Sequence, residues 1–305
     1  MDKNLCSNFI LVREKFPDQL DSEGNYQIKD DKHFKKYCDN NCDTNLGKIN
    51  AGCLYFFNEF FGSSELFQSV ANSNINIVEY IMIWLSYMLN LKENNDSHIS
   101  NLQHFYTTYI EGGSSYKQAI SNVKEYTDYK YLIDTKKYYL KMDKNITSKL
   151  YNAFELLCEM YTGYNENNKD CPECSKKANQ FIKKYEELNN DSSITTNSSY
   201  SEVLCTLSAD YVNLKNKCKN HLTLPEINTT QNSLKCSEHI LKQISEDASS
   251  SSSITNKLLL VLSIFGAIGI FLGISYKYSL FGFRKRVQKQ YLREKIKNIK
   301  KKMNQ

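Results

Sequence analysis

Residues 75–91 read INIVEYIMIWLSYMLNL, and this stretch organises the N-terminal part of the 305-residue chain. Its apolar residues recur every three or four positions, and Ile83 and Tyr87 widen the stripe until the segment is apolar nearly all round. It is too short, and too interrupted by polar residues, to favour a membrane span. The pattern therefore predicts a buried central helix over residues 76–91.

More helices are predicted along the chain because apolar residues recur at helical spacing and extended alternation is rare. Their predicted ranges are 99–111, 114–127, 145–160, 176–188, 201–217 and 233–246. The prediction is a mainly α fold, with a cysteine-rich head at residues 1–60 and a helical domain at residues 61–246.

A second apolar stretch lies near the C-terminus, where residues 258–276 read LLLVLSIFGAIGIFLGISY without a charged side chain. A 19-residue α-helix is about 28 Å long, close to the thickness of the hydrocarbon core of a bilayer. The sequence therefore predicts one transmembrane helix here, with the lipid bilayer as a partner. A serine-rich linker at residues 247–257 precedes it, and a basic tail at residues 277–305 follows it.

The charges around this span predict its orientation. The tail has eleven Lys or Arg and one Glu, a net charge of +10, while the whole chain has +5, so residues 1–276 carry −5. Basic residues that flank a span tend to stay on the cytoplasmic side, which places the N-terminus outside and the C-terminus in the cytoplasm. No cleavable signal peptide is recognised. Because the positive charge is confined to the tail, no nucleic-acid partner is expected.

Ten cysteines precede the predicted span and none follows it. An even number on the predicted outer side indicates disulfides formed in an oxidising compartment. Their spacing does not decide the pairing, and buried free thiols with a metal site are the alternative. The disulfide candidates are Cys6, Cys38, Cys42, Cys53, Cys158, Cys171, Cys174, Cys205, Cys218 and Cys236.

The motif CPEC at residues 171–174 is the most specific local signature. A CxxC pair can be a redox site, half of a zinc site or two cysteines in structural disulfides. Helical surroundings disfavour redox chemistry, and an oxidising compartment disfavours zinc thiolates, so structural disulfides are favoured. The alternative is a membrane-tethered zinc or thiol-redox module that uses Cys171 and Cys174.

No catalytic constellation is recognised in the sequence. The five His lack metalloprotease spacing, and neither a phosphate-binding glycine loop nor a Gly-x-Ser-x-Gly elbow is present. We therefore predict no enzyme activity, no resident metal and no cofactor.

Small residues inside the predicted span favour close helix packing. Gly269 and Gly273 form a small-xxx-small pattern that Gly266 extends, which predicts a homodimer through the membrane helix. The alternative is that glycine is simply common in membrane helices.

The tail is predicted to be an amphipathic helix on the inner leaflet. Its expected contacts with anionic lipid are Arg284, Lys285, Arg286, Lys289, Arg293, Lys300, Lys301 and Lys302. The alternative is a docking site for an acidic cytosolic protein.

Two parts of the sequence resemble a known family. YKYSLFGFRKR at residues 276–286, continued by QKQYLREKIK at residues 288–297, resembles the end of Plasmodium interspersed repeat (PIR) proteins, a variant multigene family of malaria parasites. Cys38, Cys42 and Cys53, followed by EYIMIWLSYMLNLK at residues 79–92, resemble its other blocks, in particular those of rodent parasites.

The resemblance implies a helical ectodomain, a C-terminal span and a short cytoplasmic tail. It also implies a non-enzymatic variant membrane antigen, exported to the infected red cell, with roles in antigenic variation, immune evasion and host interaction. Unknown host proteins would then contact the ectodomain. An adaptor that docks the red-cell membrane skeleton through the tail is the alternative. No Arg-x-Leu-type export element is found near the N-terminus.

Overall fold

The computed structural model describes residues 1–29, 32–38, 42–92, 99–195, 198–218 and 224–227. Its α-helices are α1 Lys3–Lys15, α2 Asn45–Phe61, α3 Ser64–Ser69, α4 Ile77–Asn90, α5 Asn101–Phe105, α6 Tyr129–Asp134, α7 Lys144–Gly163, α8 Cys174–Asn189, α9 Ser192–Thr195 and α10 Ser198–Lys217. Short 3-10 turns occupy Lys35–Tyr37 and Lys137–Lys141, and a π-helical turn occupies Tyr106–Glu111. The prediction of a mainly α fold is confirmed for these residues.

The chain divides into two compact units, Met1–Ala248 and Ser249–Gln305. The predicted helix at residues 233–246, the linker, the transmembrane helix and the basic tail all lie outside the described residues. Among the residues that the structure does describe, no helix combines the length and the apolar character needed to cross a membrane.

Short polar side chains fix where several helices begin. An oxygen of each such residue accepts a hydrogen bond from a backbone N–H of the first turn, which would otherwise lack a partner. These caps are Asp2 for α1, Thr44 for α2, Ser63 for α3, Asp128 for α6 and Asp143 for α7. The starting points of these helices are therefore encoded locally.

Helix α4 lies at the centre of the core, as its apolar pattern predicts. Trp84 is buried and meets Phe56 of α2 edge-on, with ring centroids 5.0 Å apart. A Cβ added at Gly52 would stand 2.8 Å from the indole ring, so α2 can approach α4 this closely only with glycine there. Sequence and packing agree that α4 is the hydrophobic axis.

Residues 1–60 share this core with the rest of the described chain. Phe9 of α1 stacks on Phe56 at 4.2 Å and meets Phe154 of α7 edge-on at 4.8 Å. Helix α1 was not predicted from the sequence. Its signal was Asp2 as a cap, followed by buried apolar residues at intervals of three and four.

Two buried carboxylates join segments that are distant in the sequence. Glu79 of α4 accepts hydrogen bonds from the Tyr138 hydroxyl at 2.6 and 2.8 Å, and it pairs with the Lys136 ammonium. Asp210 of α10 accepts a hydrogen bond from Tyr80 and pairs with the α-amino group of Met1. Each carboxylate has a partner of opposite charge, so both fit a structural role.

The predicted helix at residues 114–127 is wrong. This segment forms turns, and the Ile120 N–H donates to the Thr127 carbonyl at 2.9 Å to close the turn. Two buried tyrosines of the segment bond to α2: the Tyr116 hydroxyl donates to Asn50 Oδ1 at 2.9 Å, and the Tyr126 hydroxyl donates to the Phe61 carbonyl at 2.9 Å. Tertiary contacts therefore hold this segment in a non-helical path.

Candidate functional site

Three disulfides have both cysteines among the described residues. They are Cys6–Cys158, which joins α1 to α7, Cys38–Cys42 and Cys171–Cys174. The Cα–Cα distances in these three pairs are 4.8, 5.1 and 5.2 Å, respectively. Cys205 is also disulfide-bonded. The Cys6–Cys158 bond joins residues 152 positions apart, so it links α1 to α7, which is distant in the sequence.

Two disulfide candidates are instead free, buried thiols, which corrects the prediction for Cys53 and Cys218. Cys53 lies in the middle of α2 and is buried, and a buried cysteine packs as a small apolar side chain. Burial raises the pKa of the Cys53 thiol to about 12, and burial also raises the pKa of Cys218. Neither is activated as a nucleophile. Cys236 lies outside the described residues.

The CxxC motif is bonded within itself at the start of α8. Cys174 is the first residue of α8 and is buried, and both sulfur atoms lie within 3.8 Å of the Met160 carbonyl oxygen on α7. The disulfide therefore fastens the α7–α8 connection to the end of α7. In the described ranges, no three or more His, Cys, Asp or Glu side chains are grouped to hold a metal ion.

A cleft of about 560 Å³ opens between the α2–α3 junction and the turn at residues 118–122, and we call it the polar cleft. Its lining residues are Asn58, Gly62, Ser63, Ser64, Glu65, Gln118, Ala119, Ile120, Ser121, Asn122 and Tyr129. Most carry amide or hydroxyl groups, which are exposed to solvent or half-buried.

The walls of the polar cleft are fixed from beneath. The hydroxyl of Tyr126 bonds to the end of α2, and its ring meets Phe61 and Phe67 edge-on at 5.5 and 5.3 Å. The ring of Tyr129 packs on Phe57 at 5.3 Å. Buried aromatic side chains therefore hold the two walls at a set separation.

Several side chains of the polar cleft have hydrogen-bonding groups without a partner among the described residues. They are the side chains of Asn58, Glu65, Gln118, Ser121 and Asn122. Ser63 and Ser64 differ, because their hydroxyl oxygens already accept bonds from the Leu66 N–H and from Gln68. The first five side chains are thus available to a ligand.

The polar cleft has little charge. Its described lining contains one carboxylate, Glu65, and no Lys or Arg. Burial, with added repulsion from Tyr37 and Glu59, raises the pKa of Tyr129, so its hydroxyl stays neutral. This arrangement can bind an uncharged polar molecule, and it lacks the cations that an anion would require.

A second surface, which we call the charged face, lies where α1 and α8 flank α7. Arg13 of α1 pairs with Glu155 and reaches Glu159 at 3.8 Å, and Lys177 of α8 pairs with Glu159 at 2.9 Å. Burial raises the pKa of Glu155, and the hydrogen bond from Arg13 offsets part of this effect. A groove of about 400 Å³ runs beside it, lined by Asn152, Glu155, Leu156, Glu159, Gln180, Lys183 and Lys184.

The polar cleft was not predicted from the sequence. The segment that forms one of its walls is predicted to be a helix, whereas in the structure it forms turns and Asn122 adopts a left-handed φ of 64°, which asparagine tolerates better than most residues. In the other wall, the start of α3 can be predicted from the sequence, because Ser63 after Gly62 marks the start of a new helix. Nothing in the sequence indicated that the two walls meet.

The predicted membrane and lipid contacts have no described position. Gly266, Gly269 and Gly273 lie outside the described residues, as do all eight basic residues assigned to anionic lipid.

Comparison with known proteins finds a sequence family and solved structures that are similar to this chain. A sequence model of the Plasmodium variant antigen protein Cir/Yir/Bir matches residues 6–277. The structure is similar to a solved Plasmodium PIR protein ectodomain, with a TM-score of 0.58 and 30% sequence identity over 75% of this chain and 98% of that one. None of the curated proteins compared with the sequence matches it.

Proposed function

This chain belongs to the Plasmodium variant antigen family Cir/Yir/Bir, and we propose that it is a non-enzymatic membrane antigen displayed by infected red cells. The observation that carries the proposal is the family match over residues 6–277, which includes the predicted transmembrane helix at residues 258–276. The likeness to a PIR ectodomain supports a helical domain that is built for display.

In the proposed topology, residues 1–246 lie outside the membrane and the basic tail lies in the cytoplasm. The proposed location is the infected red-cell membrane or a parasite export compartment. The distribution of charge supports this orientation, since the net +10 of the tail follows the span directly. In the proposed arrangement the eight basic residues from Arg284 to Lys302 contact anionic lipid, and Gly266, Gly269 and Gly273 pack two membrane helices together.

The described domain suits display. Buried ion pairs and disulfides hold its core, while polar side chains of the polar cleft remain available at the surface. Such a division lets exposed residues vary without loss of the fold, which is what antigenic variation and immune evasion require. Contact with host molecules through this surface completes the proposed function.

Protease protection in infected red cells tests the proposal. The full-length chain would carry one N-terminal epitope, inserted in the exposed turn at Ser22 and Glu23 so that the α-amino group of Met1 still pairs with Asp210, and another after Gln305. Intact cells would be treated with protease. We expect loss of the N-terminal epitope and survival of the C-terminal one. Survival of the N-terminal epitope on intact cells, with its loss only after permeabilisation, would contradict display.

Liposome binding tests the proposed role of the tail. The peptide of residues 277–305 should bind vesicles that contain phosphatidylserine, with affinity that falls as salt is added. A variant with the eight basic residues replaced by Gln is the control. Equal binding to neutral and anionic vesicles would contradict the proposed contact with anionic lipid, and no binding to either would favour a protein partner in the cytosol.

A further inference from the structure

We propose that the polar cleft binds an uncharged oligosaccharide. The inference rests on the proposed function, since a displayed domain meets the glycans of host cells. It goes further by assigning a site and a chemical class of ligand to this surface.

The available hydrogen-bonding groups match the chemistry of a sugar. Each hydroxyl of a pyranose both donates and accepts a hydrogen bond, and neighbouring hydroxyls are closely spaced. Asn58, Gln118 and Asn122 offer amide donors and acceptors, Ser121 offers a hydroxyl, and Glu65 offers two acceptor oxygens. None of these side chains bonds to another described residue.

The apolar part of the lining is small and is suited to one face of a sugar ring. Tyr129 supplies an aromatic ring, and Ile120 and Ala119 supply aliphatic surface. The C–H groups of a pyranose pack on such a surface while its hydroxyls reach the surrounding amides. A peptide that binds by its side chains would need larger apolar pockets than this lining provides.

The charge of the polar cleft selects among glycans. With Glu65 and no basic residue among its described lining, the cleft disfavours sialylated, sulfated and phosphorylated sugars. A neutral terminal sugar fits this electrostatic environment.

Size and rigidity also fit. A volume of about 560 Å³ falls within the range of about 300–1,000 Å³ typical of small-molecule sites. The buried hydroxyls of Tyr116 and Tyr126 fix both ends of the turn to α2 before any ligand arrives. Binding therefore needs little ordering of the backbone, which favours a measurable affinity.

The test uses the full-length chain in a non-glycosidic detergent. Binding is measured on an array of uncharged di- to tetrasaccharides ending in galactose, mannose, fucose or N-acetylglucosamine, beside their sialylated and sulfated counterparts. We expect binding to at least one uncharged glycan and weaker binding to its charged counterparts.

Variants then assign the binding to the cleft. Gln118→Ala combined with Asn122→Gly should weaken binding at least about tenfold, because hydrogen bonds to the sugar are lost. Glycine accepts the left-handed backbone at position 122, so the fold should persist. The matched control is Gln180→Ala, an equally exposed glutamine of the groove beside the charged face, with a change of less than about twofold.

Two results would overturn the inference: no binding to any uncharged glycan, or binding that the double variant leaves unchanged. Circular dichroism and thermal unfolding of each variant show whether the fold is retained. A failed glycan array with a normal protease-protection result removes this inference alone. A failed protease-protection result removes the proposed function, while the array still reports on the polar cleft.

Discussion

The polar cleft and the charged face are both polar surfaces on one helical domain, but they use their polar groups differently. On the charged face, Arg13 and Lys177 pair with the carboxylates of Glu155 and Glu159. In the polar cleft, amide and carboxylate side chains have no bonding partner among the described residues.

This difference separates structure from recognition. Charges that pair with one another connect helices, and their ability to bond is already satisfied. Polar groups that are held in a fixed cleft without partners bond to water until a ligand replaces it. We therefore expect substitutions on the charged face to change stability and substitutions at the rim of the polar cleft to change binding.

The largest expected effect lies beneath the charged face. Replacing both Cys6 and Cys158 by Ser should lower the free energy of unfolding by about 2–5 kcal/mol, because the bond restricts a long loop of the unfolded chain. Replacing both Cys38 and Cys42 is the matched control. Its loop spans only 4 positions, so the loss should be about 2 kcal/mol or less. Denaturant unfolding under non-reducing conditions measures the loss of stability in both double variants. Equal losses would contradict the larger stabilising role given to the Cys6–Cys158 bond.

A smaller effect is expected at the foundation of the polar cleft. Tyr126→Phe should destabilise the fold by about 1–3 kcal/mol, because the buried Phe61 carbonyl loses its hydrogen-bond donor. Binding of an uncharged glycan should weaken as well, since the wall loses its anchor. Tyr131→Phe is the control, because Tyr131 is 47% exposed. Calorimetry measures the change in stability of each variant, and the glycan array measures the change in binding. A Tyr126→Phe variant as stable as the unchanged protein would contradict the anchoring role.

The charged face should show a pH-dependent effect. The pKa of Glu155 is raised above its ordinary 4.5, so the folded state holds this proton more tightly than the unfolded state does. The free energy of unfolding therefore falls as the pH rises from the pKa of Glu155 in the unfolded chain through its higher pKa in the folded protein. Arg13→Met removes a group that lowers this pKa. We therefore expect it to lower the free energy of unfolding by about 1 kcal/mol or less, and by more near pH 7 than near pH 4.

Denaturant unfolding at the two pH values measures this difference. Adding Glu155→Gln to Arg13→Met should reduce this difference, because the carboxyl that bonds directly to Arg13 is then absent, while the Glu159 carboxylate, 3.8 Å from the Arg13 guanidinium, is still present. A cost of Arg13→Met that is larger at the lower pH would show that the sign is wrong.

The smallest expected change in stability is at the rim of the polar cleft. Gln118→Ala should change the free energy of unfolding by no more than about 0.5 kcal/mol, since the side chain is exposed and bonds to no described residue. Thermal unfolding beside Gln180→Ala measures it. A loss above about 1 kcal/mol would show that Gln118 has a structural role and would weaken the contrast between the two surfaces.

Helices with strong apolar periodicity were predicted closely. The ranges 76–91, 145–160 and 176–188 correspond to α4, α7 and α8, whose observed bounds differ by one to three residues. Helix periodicity is local, because residues three and four apart share one face, and so it is readable without the fold. The prediction of a helix at residues 114–127 is wrong because the buried Tyr116 and Tyr126 form hydrogen bonds with α2. These tertiary contacts outweigh the local helical pattern of the segment.

The mainly helical class, the central position of α4 and the presence of disulfides can be predicted from the amino-acid sequence, because they follow from local spacing and from composition. Three features depend on the packing of the folded chain: the Cys6–Cys158 bond, the free thiol of Cys53, and the meeting of residues 58–65 with residues 118–122 to form the polar cleft. Such contacts join residues far apart in the chain. They depend on how the helices pack, and no local pattern records that packing.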